Sequence, residues 1–326
     1  MNGEMTVSAG AEENVVIAAG ECEVTILPRF GGKIASIRVK GRELLQQPLV
    51  PIAPRKQTMS FDESDASGWD ECLPSVAPCS VPYADGVVKV PDHGDLWRVE
   101  WQRAGTKGLR DQGTAGLTLT GRCFSLPLEL ERTIELEEAD GAWRLELSYK
   151  LTNTGTEPVS WSWSAHPLFA VSAGDRIVLP ERIRTLRLEG SGGKRLGLYG
   201  DTVHWPIAKV GTAGETNLSV AHPADSGIGD KLFAGPLAAD ENWCELVRPH
   251  AGVKIRVGFD AEKTPYLGLW ICYGGWPERE GAKQMCVALE PSTAPVDSMA
   301  VKSAWSRVLA PGESYDWPMM VEIKPL

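Results

Sequence analysis

The sequence predicts an all-β chain folded as a large antiparallel sandwich or barrel, and three observations carry that prediction. Apolar and polar residues alternate with period two in run after run, the pattern of strands that bury one face. No stretch of helical length holds a 3.6-residue apolar period. Glycine (34) and proline (23) both exceed their ordinary shares of ~7% and ~5%, which favours many short turns over long helices.

The elements follow in chain order. Cys22, Val24 and Ile26 alternate with Glu21, Glu23 and Thr25; the segment from Pro28 to Gly32 turns the chain, and Ala35, Ile37 and Val39 repeat the pattern. Leu126, Leu128, Leu130, Ile134 and Leu136 share one parity, broken by Arg132. Glu138-Ala139-Asp140-Gly141 predicts a hairpin turn, after which the apolar parity resumes at Trp143, Leu145, Leu147, Tyr149 and Leu151. Val253, Ile255, Val257 and Phe259 form a further strand. The turn Ala310-Pro311-Gly312 precedes a last one through Tyr315, Trp317, Met319, Val321 and Ile323. With no low-complexity linker and no fixed-period repeat, residues 1–326 are expected to form one domain, and Gly190-Ser191-Gly192-Gly193 a loop tip.

Composition narrows the function. Hydrophobic residues at 43% and charged residues at 23% are ordinary for a soluble globular chain. A net charge of −10 provides no basic face for nucleic acid or anionic lipid. The seven cysteines form no C-x-x-C pair and are expected to be scattered, reduced thiols. Glu4, Glu12 and Glu13 interrupt any leader-like opening, and no apolar run approaches the ~18 residues of a membrane span, so a cytoplasmic location is the default expectation.

Two strand ends carry candidate chemistry. In Ser160-Trp161-Ser162-Trp163-Ser164-Ala165-His166-Pro167, the tryptophans and Ala165 point one way, while three serines and His166 point the other. That polar row is either the floor of a polar ligand site or a solvated outer face. In Met285-Cys286-Val287-Ala288-Leu289-Glu290-Pro291, Glu290 closes a row of small residues, and Pro291 supplies no ladder N–H, so the sheet edge is expected to open there. Glu290 is either a general base with a raised pKa or a solvated strand-end carboxylate. His93 lies in the turn Pro91-Asp92-His93-Gly94-Asp95. Trp69, Trp270 and Trp276 sit beside glycines and acidic groups, an arrangement that suits a sugar, whose C–H face stacks while its hydroxyls find polar partners. No phosphate loop, dinucleotide fingerprint or G-x-S-x-G elbow occurs, and no zinc spacing supports a metal. A glycosidase-like carboxylate pair, Glu290 with Asp230 or Asp92, stays open.

Four segments together resemble the aldose 1-epimerase (galactose mutarotase) family. They are Asp92-His93-Gly94, Ser164-Ala165-His166-Pro167-Leu168-Phe169, Gly229-Asp230-Lys231-Leu232-Phe233 and Ala288-Leu289-Glu290-Pro291. The opening Ile26–Ile34 hairpin and the closing Leu309–Ser314 turn are also similar, so the resemblance spans nearly the whole chain. It implies a large antiparallel β-supersandwich and cofactor-free interconversion of the α and β anomers of a free sugar. Glu290 resembles the base that takes the C1 hydroxyl proton, and His166 the acid that protonates the ring oxygen. His93 and Asp230 resemble residues that hold the hydroxyls and the ring oxygen. The Asn-Arg pair of many mutarotases has no counterpart here; Gly68-Trp69-Asp70-Glu71-Cys72 stands in its region, with Trp69 and Asp70 as substrate contacts beside Trp270. The implied partner is a monosaccharide, with no cofactor, metal, nucleic acid or membrane, in a monomer or weak homodimer. A non-catalytic sugar-binding protein and a hexose-6-phosphate epimerase are the alternatives; for the latter, Arg55 and Lys56 are the paired cations in that stretch.

Overall fold

The structure, a computed structural model, describes residues 7–9, 14–105, 115–212, 214–302 and 305–326. Two antiparallel sheets dominate. Among the described residues the larger has twelve strands and runs from the N-terminal strands Val7–Ala9, Val15–Ala19, Cys22–Leu27 and Lys33–Val39 (flanked by Arg42–Glu43) through Trp69–Cys72 to Ser164–Ala170. It continues through Met285–Ser292, Tyr266–Tyr273 and Ile228–Ala234 to Thr185–Ser191 and Thr202–His204. The smaller has eight strands and is centred on Leu128–Ala139, Ala142–Asn153, Ser314–Pro325 and Val253–Phe259. Helical structure among the described residues is limited to five three-residue 3₁₀ segments, none able to cross a membrane.

The predicted alternation is what builds the core. Leu128, Leu130, Ile134 and Leu136 from one strand and Trp143, Leu145, Leu147 and Tyr149 from the next are all buried, and they meet Ile17, Val24, Ile26 and Trp69 of the larger sheet in one cluster. The hairpin between them closes as expected. Asp140 (φ 54°) and Gly141 (φ 72°) both take left-handed conformations, the pair that a two-residue type I′ turn requires.

Two local expectations need correction. Ile34, not Ala35, faces the core, because a bulge in the ladder between Cys22–Leu27 and Lys33–Val39 pairs Ile26 with Ile34 but Thr25 with Ser36. Arg132 keeps the parity of its apolar neighbours and is fully buried. Its guanidinium ion-pairs with Glu71 of the facing sheet at 2.9 Å, donates to the Gly32 carbonyl and lies 5.0 Å from the Trp101 ring centroid. All seven cysteines are free thiols.

Candidate active site

A gap in the larger sheet brings His166 and Glu290 together. The strand Ser164–Ala170 pairs with Met285–Ser292 at Ser164↔Ser292 and again from Leu168↔Ala288, and the ladder skips the residues between. Pro167 and Pro291, neither with an N–H to donate, fall inside that interruption. His166 and Glu290 lie opposite one another across it. The strand of Glu290 is therefore interior rather than an opened edge, since its other side pairs without a break with Tyr266–Tyr273. There Gly268 faces Glu290, and a Cβ at that position would lie 3.0 Å from Oε2.

Above the gap is a cavity of about 270 Å³, near the lower end of the ~300–1,000 Å³ typical of small-molecule sites and suited to a single sugar ring. Trp270 and Trp276 form an aromatic side of it, with Trp270 Nε1 donating to Gln284 Oε1 at 3.0 Å. They pack on a small apolar floor of Leu168, Cys272, Cys286 and Ala288. Phe61, whose ring centroid lies 6.1 Å from that of Trp276, stacks on His93 with centroids 3.6 Å apart and 8° from parallel, and His93 meets His166 edge-on at 5.1 Å. His93 holds this place through the Asp92–Gly94 turn. Its own φ is 56° and that of Gly94 is 69°, a Cβ on Gly94 would strike the Leu73 carbonyl, and His93 Nδ1 donates to Asp92 Oδ2 at 2.9 Å. Asp62, Lys231 and Asp297 complete the polar lining.

Glu290 has no exposed surface and lies just beneath the lining, next to His166 and Lys231. Its two oxygens differ. Oε2 receives the Lys231 ammonium in a short ion pair and a long hydrogen bond from Ser164 (3.4 Å). Among the described residues Oε1 has no hydrogen-bond partner, and it sits 3.9 Å from His166 Nε2, beyond hydrogen-bond length. His166 Nδ1 is likewise buried without a partner. Burial pushes the Glu290 carboxyl up, Lys231 pulls it back and Asp297 pushes it further up. Burial also holds the His166 imidazole well below its ordinary value, reinforced by charge on His93, Lys231 and Lys33. The two proton affinities therefore move toward each other. Among the described residues no group of three or more His, Cys, Asp or Glu is arranged to hold a metal ion.

The other expected contacts divide. Trp270 and His93 line the cavity. Asp230 does not. It shares parity with Leu232 and the core, and Arg195 (Nε 2.9 Å) and Ser191 (2.6 Å) occupy its carboxylate, so the next residue, Lys231, reaches the site instead. Trp69 is also turned inward, fully buried in the main core. Asp70 is opposite His166 in the ladder, but Lys33 takes its carboxylate at 2.6 Å and keeps it off the lining. The serine row is not the floor either. Ser162 is buried and donates to the Pro74 carbonyl. The Arg55 side chain is buried too, paired with Asp65 at 2.7 Å, with its guanidinium 5.4 Å from the Trp97 ring centroid. Phe61, Gln284, Lys231 and Asp297 were not expected as site residues. Parity alone pointed to Lys231; the other three sit outside clear alternating runs.

A model of aldose 1-epimerase matches residues 78–322, well over half of the chain. The chain belongs to the aldose 1-epimerase family. Three solved structures resemble it over nearly their full lengths. A galactose mutarotase-like protein from Clostridium acetobutylicum superposes with TM-score 0.67 at 15% identity, covering 100% of this chain and 99% of that one. A galactose mutarotase related enzyme from Lactobacillus acidophilus gives 0.65 at 14% (94% and 96%). The Slr1438 protein of Synechocystis sp. PCC 6803 gives 0.66 at 17% (100% and 97%). At such identities the likeness establishes the fold, which is the expected galactose mutarotase-like supersandwich. Among curated proteins none matches the sequence.

Proposed function

We propose that this member of the aldose 1-epimerase family interconverts the anomers of a free, uncharged monosaccharide. Glu290 is the base at O1 and His166 the acid at the ring oxygen O5. The observation that carries the reading is the juxtaposition of an unpartnered, buried Glu290 Oε1 with His166 Nε2 3.9 Å away, at the floor of a cavity the size of one sugar. O1 and O5 are bonded to the same carbon, so the groups that serve them must be close neighbours without being bonded to each other.

The chemistry balances with one proton on the pair. In the reactive protonation state, which burial of the imidazole disfavours, Glu290 carboxylate takes the O1 proton as His166 imidazolium gives one to O5. The C1–O5 bond breaks and C1 becomes an aldehyde. After rotation about C1–C2 the O5 hydroxyl attacks the other face; its proton returns to His166 and the Glu290 proton to O1. Both directions need proton affinities that nearly match, which is the direction in which burial moves them. The sugar's C–H face would stack on Trp270 and Trp276. His93, whose Nδ1 is committed to Asp92, offers Nε2 to a hydroxyl. With Arg55 occupied by Asp65, and Asp62, Asp92 and Asp297 on the lining, the site opposes a phosphosugar.

A second reading, a non-catalytic sugar-binding protein on the same fold, draws on one observation: Glu290 lies under the lining and has no exposed surface. Polarimetry separates the two. Starting from pure α anomers of a panel of monosaccharides, the wild type is expected to speed relaxation for at least one sugar and Glu290→Gln to abolish the acceleration. Tight binding without acceleration would establish the second reading in place of the first.

A further inference from the structure

We propose that Lys231 is a positioning residue for the base: it holds Glu290 by one oxygen, so that Oε1 is the reactive one, and sets the pH at which Glu290 works. The proposal rests on the assignment of Glu290 as base.

The geometry distinguishes this role from that of a sugar ligand. Lys231 stands directly across from Trp270 in the ladder, two residue pairs along from the Gly268↔Glu290 level and so on the same face of the sheet. Its chain runs along the cavity and its ammonium ends on Glu290 Oε2, with Asp297 Oδ1 3.5 Å from the same nitrogen. An ammonium has three donors and no acceptor, so two carboxylates account for most of its capacity. Side-chain exposure is 9% for Lys231 and nil for Glu290, so this ion pair is poorly screened. Without Lys231, Glu290 would be a buried carboxylate with no compensating charge, and its side chain would be free to rotate either oxygen toward His166. Glu290 would then keep its proton to higher pH and be a poorer base on the acid side.

The groups acting on Glu290 define opposite predictions for two variants. Lys231 favours its charge, as does charge on His93, and Asp297 opposes it; His166 faces it across the gap, and the buried thiols of Cys72 and Cys286 are close enough to interact. Removing Lys231 withdraws the principal favourable charge, whereas removing the Asp297 charge withdraws a repulsion and leaves Lys231 wholly to Glu290. Lys231 is itself held charged by Asp297 and Glu290 against its own burial.

The test is the pH dependence of kcat for anomer exchange in the wild type, Lys231→Met, Lys231→Arg and Asp297→Asn, paired with ¹³C NMR titration of the Glu290 carboxyl. Lys231→Met is expected to move the acid limb and the carboxyl titration upward by about one pH unit or more, roughly a tenfold loss of ionised base on that limb, with KM nearly unchanged. Lys231→Arg should restore much of the loss, and Asp297→Asn should move both readouts downward. Should Lys231→Met fail to fold, the downward shift in Asp297→Asn carries the test. A raised KM with an unmoved acid limb, or shifts of the same sign in the two variants, would overturn the proposal. Absence of exchange by the wild type would instead refute the Glu290 assignment, and the carboxyl titration would still report whether Lys231 controls its proton.

Discussion

Two buried carboxylates on strands of the same sheet, Glu71 and Glu290, have opposite surroundings. Glu71 faces the core between the sheets. Its Oε1 accepts from Arg132 (2.9 Å) and Tyr149 (3.0 Å), and its Oε2 from Trp163 Nε1 (2.9 Å). Glu290 faces the other side of the sheet, where Oε2 is held by Lys231 and Oε1 by nothing. Burial raises the proton affinity of both. Only Glu290 has an oxygen left with which to take a proton from a ligand. An ion pair with both carboxylate oxygens hydrogen-bonded ties two sheets together, whereas one with a single bare oxygen beside a cavity is equipped for chemistry.

The largest difference between the two should appear in stability. Arg132→Met leaves Glu71 as an uncompensated buried charge and is expected to lower the unfolding free energy by about 3–5 kcal/mol, read from urea denaturation midpoints at constant m. Glu290→Gln, which relieves an incompletely paired charge while Lys231 keeps Asp297, should change stability by less than about 1 kcal/mol. Its cost is expected in rate instead, a loss of about 10²–10⁴-fold in kcat. If Glu290→Gln unfolded the chain and Arg132→Met did not, the contrast would be reversed and Glu290 would be the structural member.

A smaller effect tests the packing around the base. The Cβ added by Gly268→Ala would crowd Glu290 at 3.0–3.2 Å without requiring an unusual backbone conformation. It should slow exchange about tenfold while costing roughly 1 kcal/mol of stability. The smallest effect is a pH dependence. His166 has a depressed folded pKa, so its contribution to stability is present above the unfolded value near ~6.5 and is lost as pH falls from there through the folded value. Thermal midpoints between pH 7 and pH 5 should therefore fall less steeply in His166→Asn than in the wild type. An unchanged slope would mean that burial does not lower the proton affinity of the imidazole.

Most of the fold was legible because burying one face of a strand requires a period of two, and a buried alternating residue declares itself even when charged. Arg132 was such a residue. It looked like a break in the pattern, and its unbroken parity was the signal of a buried partner. His166 and Glu290 were legible for the same reason, as polar ends of rows of small residues, and the prolines beside them marked the interruption that makes room between strands. Asp230 was assigned from the resemblance of the short segment Gly229–Phe233 to the family rather than from its own strand pattern. The parity of Leu232 placed it on the core side and Lys231 at the site. Trp69 and Asp70 were assigned from neighbourhood in sequence, although adjacent strand residues face opposite ways. Phe61, Gln284 and Asp297 lie outside regular alternation, where no local period reports which residues the fold will bring to one cavity.

The central claim is that Glu290 and His166 act as one unit on a single sugar. It is tested most directly by two-dimensional exchange NMR between the H1 resonances of the two anomers of the preferred sugar, with the wild type, Glu290→Gln, His166→Asn and the double variant at equal folded concentration. Each single change is expected to remove nearly all enzymatic exchange, and the double variant to be no slower than the slower single. Losses that multiply, or a wild type that leaves exchange at the rate of buffer, would contradict the claim.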